Sequence, residues 1–345
     1  MEMKNKEFLE GLLNALSPSG MEKEATKVWD SYMSEFTDKY YTDRIGNSAY
    51  SLGSGEKIIL VSAHIDEICM GVQNIKDDGT LNIINLAGVD RKCLPGAQVV
   101  IINEAGGHIP GIIQKSPIHI ECRDNLDDKV LGFEDVVVDI GASDKKEAEK
   151  LVEIGNLVVF SRNVNLNFGQ NKLYGNALDD KIGVYIVSQV AEALSTETLP
   201  KEYKVVFLAG TQEESGLRGL TVAAKNINPD ISIDIDVTFA NENIAKYGNI
   251  ELGKGPVIEY GQDKSRRIAG IMTNVATVSK IEIQKSMSRC GGTNTNTIQL
   301  SSKDCETMLI SIPNRSMHTP NETCDWRDVS GAIDLISKTI LSGRL

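Results

Sequence analysis

The sequence predicts an α/β fold: helices flank a sheet, and a mostly β domain interrupts them. Three observations carry this. Apolar strand candidates alternate with amphipathic helices towards both ends of the chain. Between residues 69 and 164 the texture changes to short β-like runs separated by Gly, Pro and Asp-Gly turns. Finally, 345 residues exceed one small core and suit two domains. The expected division is 1–68 with 165–345 as the main domain, and 69–164 as an insertion.

The elements follow in order. Phe8, Leu9, Leu12, Leu13 and Leu16 recur at helical spacing, and Ser17-Pro18-Ser19-Gly20 stops that helix. Ala25, Val28, Trp29, Tyr32, Met33 and Phe36 form the apolar stripe of a second helix. After a turn at Gly46-Asn47, a buried-type strand over 57–61 ends at Ala63-His64. In the insertion, 81–84, 98–102, 109–113 and 157–160 read as strands and 145–154 as a helix, with 163–171 a polar linker. Beyond it, helices are expected over 184–194, 217–227, 267–279 and 325–341, and strands over 203–208, 231–237 and 307–312.

Composition excludes some partners. Thirty-six basic against 48 acidic residues leave a net charge of −12, which repels phosphate backbones. Aromatics at 5% offer few platforms for stacking bases, so nucleic acid is not an expected partner. No stretch approaches the roughly 18 apolar residues of a membrane span. Met1-Glu2-Met3-Lys4-Asn5-Lys6-Glu7 runs into a charged helix rather than a secretory leader. Cys69, Cys93, Cys122, Cys290, Cys305 and Cys324 are scattered without a C-x-x-C pair, a pattern of reduced thiols. The expected location is the cytoplasm, with no membrane contact.

The chemistry is concentrated at strand ends. The strand at 58–61 leads to His64-Ile65-Asp66-Glu67, and that at 205–208 to Gln212-Glu213-Glu214. The run 231–235 contains Asp234 and ends at Asp236, and 308–312 leads to His318. A fifth cluster, Asp179-Asp180, opens a helix. In open α/β sheets ligands bind outside the carboxyl ends of the strands, so these groups are placed to converge. Each has an ordinary structural reading alone: a hydrogen-bonded histidine, a helix N-cap, a solvated turn. His108 and His119, within the β region, keep that reading. Two histidines and three carboxylates are what a dinuclear divalent site needs, with one carboxylate bridging and a further one free to move a proton.

Longer runs carry a resemblance. His64-Ile65-Asp66-Glu67, Asn176-Ala177-Leu178-Asp179-Asp180-Lys181-Ile182-Gly183 and Gln212-Glu213-Glu214-Ser215-Gly216-Leu217-Arg218-Gly219 resemble the TET (tetrahedral) metallo-aminopeptidases. So do Asp236-Val237-Thr238, Cys290-Gly291-Gly292-Thr293 and Ile312-Pro313-Asn314-Arg315-Ser316-Met317-His318, with Lys115-Ser116-Pro117-Ile118-His119 and Asp139-Ile140-Gly141-Ala142-Ser143 in the insertion. That family includes glutamyl aminopeptidases and members labelled endoglucanase. The resemblance implies an aminopeptidase-type mixed sheet with an inserted β domain for dimerisation and larger assembly, commonly a hollow homododecamer. It implies two divalent ions per chain, zinc or cobalt, and short peptides as substrates. Asp179 would bridge the ions, His64 and Asp236 holding one and Glu214 and His318 the other. Glu213 would be the general base, and Asp66 would orient the His64 imidazole. Exposed edges of the short strands point to self-association as well.

Two departures stand out: Ile68-Cys69 where the family has Gly, and Asn294-Thr295-Asn296 where it has Asp-Ala-Gly, removing a charge near the expected cleft. Two other readings stay open here. A glycoside hydrolase would need only two carboxylates, such as Glu213 and Asp236, and no metal; a non-catalytic scaffold would need none of the set. Substrate preference is expected to lie in the loops 238–255 and 261–267.

Overall fold

The computed structural model describes residues 5–121, 130–240, 249–287 and 292–345. In chain order its elements are α1 (Lys6–Asn14), α2 (Lys23–Met33), β1 (Asp38–Thr42), β2 (Ser48–Leu52), β3 (Lys57–His64), β4 (Cys69–Ile75), β5 (Leu81–Ala87), β6 (Gln98–Ile102) and β7 (His108–Gln114). Then come α3 (Ile118–Glu121), β8 (Val137–Asp139), α4 (Lys145–Ala148), β9 (Leu157–Phe160), β10 (Asn165–Phe168), β11 (Lys172–Gly175), α5 (Leu178–Ser195) and β12 (Tyr203–Gly210). The rest are α6 (Arg218–Ile227), β13 (Ile231–Phe239), β14 (Val257–Glu259), α7 (Arg266–Ser279), β15 (Gln284–Ser286), α8 (Thr295–Ser301), β16 (Glu306–Asn314), β17 (Glu322–Asp325) and α9 (Trp326–Leu341).

By contacts the chain divides into two units: Met1–Asp66 with Val164–Met317 and Asn321–Leu345, and Glu67–Asn163 with His318–Pro320. The short piece containing His318 groups with the second unit.

The first unit is a mixed sheet ordered β1-β2-β12-β3-β13-β16-β14-β15. Its centre, β12, β3, β13 and β16, is parallel. Parallel strands need cover on both faces, which explains their unbroken apolar runs. Ile59, Val61, Val205, Phe207, Ile233 and Met308 join the core made with α1, α2, α5, α7 and α9. Leu60, Val206 and Leu208 point the other way, onto Leu220, Ala223 and Ala224 of α6 and Ile298 of α8. A small sheet, β10-β11-β17, completes this unit.

The second unit is a closed barrel, β4-β5-β8-β7-β6-β9, with Val72, Leu81, Val99, Ile101, Ile113, Val138 and Val158 inside. Closure corrects one argument made from sequence. Its strands have no exposed edges to satisfy, so unpaired edges give no reason for self-association. Two elements also differ. The helix expected over 145–154 is one turn, α4, after which the chain turns at 149–151 and again at 154–155. Within the expected linker, β10 forms because β11 pairs with it and with β17. Among the described residues no helix is long and apolar enough to cross a membrane.

Candidate active site

Sheet register brings the strand-end residues level. His64 ends β3 opposite Gly210 of β12, so the chain beyond Gly210 runs directly to Glu213 and Glu214. Asp234 of β13 pairs with Ser62, which sets Asp236 level with His64. The N-terminus of α5 supplies Asp179 and Asp180, whose connecting peptide is cis and whose dihedrals are not helical.

The imidazole of His64 is buried and oriented at both nitrogens. Nδ1 lies 3.1 Å from the Asp66 carbonyl and 3.4 Å from its Oδ1. Nε2 lies 3.1 Å from Asp179 Oδ1 and 3.9 Å from Glu213 Oε2. A proton held on Nδ1 by the Asp66 carbonyl leaves the Nε2 lone pair facing the carboxylates. Asp66 does a second job: its Oδ1 and Oδ2 accept the backbone N–H groups of Glu213 (3.0 Å) and Glu214 (3.1 Å).

Ligand-type atoms of His64, Asp179 and Glu214 fall within 4.8 Å of one another, as do those of His64, Asp180 and Asp236. Of the seven residues singled out from sequence, the structure therefore brings together His64, Asp66, Asp179, Glu213, Glu214 and Asp236. His318 belongs to neither group. It is described with the second unit, where its Nδ1 bonds the Gly88 carbonyl at 2.8 Å and its own carbonyl accepts from Asp90 N–H.

Of the buried residues that support the site, Glu322 gave no sign in the sequence, while Asp180, Asp234 and Asn294 stood out there without a role. Glu322 Oε2 accepts the Asp179 N–H at 2.8 Å from 143 positions away, a separation that no local pattern reports. Asp180 joins the second group. Asp234, fully buried, takes a hydrogen bond from Ser62 Oγ at 2.6 Å. Asn294 is also fully buried and lies beside Asp234, so a buried carboxylate is present where the Asn substitution alone implied a lost charge. Cys122, Cys290, Gly291 and positions 241–248 of the expected specificity loop lie outside the described residues.

Electrostatics show what this assembly lacks. Burial pushes Glu213 up to about 7, with His64 opposing and Asp179 adding to the rise. Burial and Asp179 hold Glu214 well above the carboxylate range. Burial, Asp179 and Glu213 do the same to Asp236, and burial with Asp236 to Asp180. For His64 burial works against charging, but Glu213, Asp179 and Asp66 outweigh it and raise its pKa well above the usual value. Carboxylates crowded out of water around one imidazole repel until cations join them. Mixed imidazole and carboxylate donors with converging atoms fit divalent ions such as Zn²⁺ or Co²⁺.

Parallel strand ends bearing such a set define a candidate metal centre in an α/β protein. Residues 46–335 match the M42 glutamyl aminopeptidase family, and the chain belongs to that family. It is thus a hydrolase of the aminopeptidase class. A lysyl aminopeptidase of Pyrococcus furiosus is 32% identical, with 88% of this chain and 87% of that protein covered. A TET aminopeptidase from a Thaumarchaeota archaeon of marine sediment matches with TM-score 0.92 at 28% identity, covering 98% and 97% of the two chains. The TET1 peptidase of Pyrococcus horikoshii, described as assembling into a tetrahedron or a large octahedral shell, matches with TM-score 0.88 at 30% identity over 97% and 98%.

Proposed function

We propose that this chain is a two-metal aminopeptidase that removes N-terminal residues from short peptides. The observation that carries the reading is the convergence of His64, Asp179 and Glu214 within 4.8 Å, with Glu213 facing the same space. Asp179 would bridge two divalent ions, zinc or cobalt; His64 and Asp236 would hold one, and Glu214 the other, to which the sequence adds His318. When bound, the ions supply electrophilic polarisation of the scissile carbonyl and make a water acidic enough to lose its proton near neutral pH. Glu213 accepts that proton at its carboxylate and returns it to the leaving amine, so one residue serves as base and then as acid. Asp66 keeps His64 in one tautomer and, through two backbone N–H bonds, holds Glu213 and Glu214 at the start of the turn that leads into α6.

Aminoacyl chromogenic substrates assayed with and without EDTA test this. Activity should disappear with chelator and return with Zn²⁺ or Co²⁺. Hydrolysis that survives complete metal removal overturns the reading, and survival of glycoside hydrolysis instead would point to paired carboxylates acting alone.

The same reading includes assembly. The tetrahedron of the Pyrococcus horikoshii relative supports a homododecamer here, since tetrahedral point symmetry has twelve equivalent positions. Light scattering should give twelve chains per particle; a single chain of 37.6 kDa at micromolar concentration overturns it.

A further inference from the structure

The connector between α1 and α2, residues 15–22, reads in the sequence as a helix stop and nothing more. In the structure it reaches three of the segments that carry the site. Fully buried Lys181, two residues past Asp179, donates its Nζ to the Ala15 carbonyl at 2.7 Å. Buried Ser17 Oγ donates to the Ile65 carbonyl at 2.9 Å, between His64 and Asp66. Buried Glu22 accepts, at Oε1, the N–H of Gln212 at 3.1 Å and that of Gly20 at 2.6 Å. Ser19 Oγ donates to Ser215 Oγ at 2.8 Å.

Together with Asp66, these contacts fix every residue from 212 to 215 by a side chain from elsewhere in the chain. Gln212 is the strained member. Its φ is 55°, the left-handed region that residues with a Cβ rarely occupy unless surrounding structure holds them there. Its N–H lies one residue before Glu213, so the orientation of that peptide sets how the two glutamates leave the backbone.

We propose that Glu22 is a positioning residue for Glu213 and Glu214, and that the connector is the element that sets their spacing from His64 and Asp179. The roles of those glutamates rest on the two-metal reading above; the contacts do not. A carboxylate on Gln212 N–H holds a conformation that water would not, and a displacement of about 1 Å at such a centre costs on the order of 10²-fold in rate.

Glu22→Ala, Glu22→Gln and Ser19→Ala test this, each with kcat, KM, metal content and the visible spectrum of the Co²⁺-substituted protein. Glu22→Ala should lose about 10²-fold in kcat with little change in KM, keep its metal, and shift the Co²⁺ bands as Glu214 moves. Glu22→Gln, whose amide oxygen still accepts the Gln212 N–H, should recover most of that loss. If Glu22→Ala does not fold, Ser19→Ala decides, with a several-fold fall in kcat expected. A kcat within about threefold of wild type and an unshifted spectrum overturn the proposal, as does a loss that merely tracks melting. Should the wild type cleave no aminoacyl substrate, the aminopeptidase reading falls by itself, and the Co²⁺ spectrum alone decides the role of Glu22: shifted upholds it, unshifted overturns it.

Discussion

Strands of the large sheet and strands of the barrel use their residues in opposite ways. In β13 eight consecutive positions are buried, because helices cover both faces. In β7 buried and open positions alternate, because the barrel has one inside. A strand covered on both faces opens to a site mainly towards its end: His64 and the segment after Gly210 stand at ends, and Asp236 lies three residues before the end of β13. A barrel strand shows side chains along its flank instead, and Ile112 and Leu86 stay 50% and 45% exposed there. The candidate site gathers towards strand ends, while open apolar side chains lie on barrel flanks.

The sharpest way to break that contrast is at the adjacent glutamates. Glu213→Gln keeps size and hydrogen bonding but cannot take up a proton, so kcat should fall roughly 10²–10⁴-fold with metal retained. Glu214→Gln should lose metal and activity together, with excess metal restoring part of both. Elemental analysis beside kinetics checks this; Glu213→Gln stripped of metal beside a fully loaded, inactive Glu214→Gln would reverse the assignment.

A smaller effect separates the strand types. Ile233→Ala in β13 removes a fully buried side chain and should destabilise by about 2–5 kcal/mol in denaturant unfolding. Ile112→Ala on the barrel flank should stay within about 0.5 kcal/mol. Equal losses at both sites would erase the distinction.

The smallest effect is one of pH. Asp328, near the start of α9, accepts N–H bonds from Gly253 and Gly255, both at 2.7 Å. Burial nevertheless pushes its pKa up to about 7, with Asp325 adding to the rise and Arg327 opposing it. The folded state then holds a proton that the unfolded state releases near 4, so this residue's contribution to stability declines as pH rises from about 4 to 7. Melting curves should show Asp328→Asn gaining on the wild type over that interval. A constant difference between the two would contradict it.

How much the sequence shows depends on the same distinction. The central strands and their acidic ends were legible because two-sided burial writes continuous apolar runs, and because His64, Asp66, Glu213 and Glu214 lie within a few residues of those runs. The edge strand β1 and its neighbour β2 were not legible: β1 is mostly exposed and polar, and only pairing with β2 makes it a strand. Helix α5 spans Leu178–Ser195, earlier than its apolar pattern over 184–194 suggests, but Asp179 and Asp180 break the helical dihedrals, so its regular turns begin only beyond them. Glu322 and Glu22 act on the site through single hydrogen bonds across the fold, and periodicity carries no trace of such contacts.

Barrel closure has a consequence for how this protein can change over generations. A ring of strands that closes on itself offers no sheet edge, so another chain could meet the barrel only through side chains. Single substitutions on the flank can therefore retune or abolish such meetings without disturbing the hydrogen-bonded frame beneath. The crevice has no comparable freedom, since Asp66 alone ties three residues of it together. Quaternary form is thus free to drift while the chemistry stays pinned.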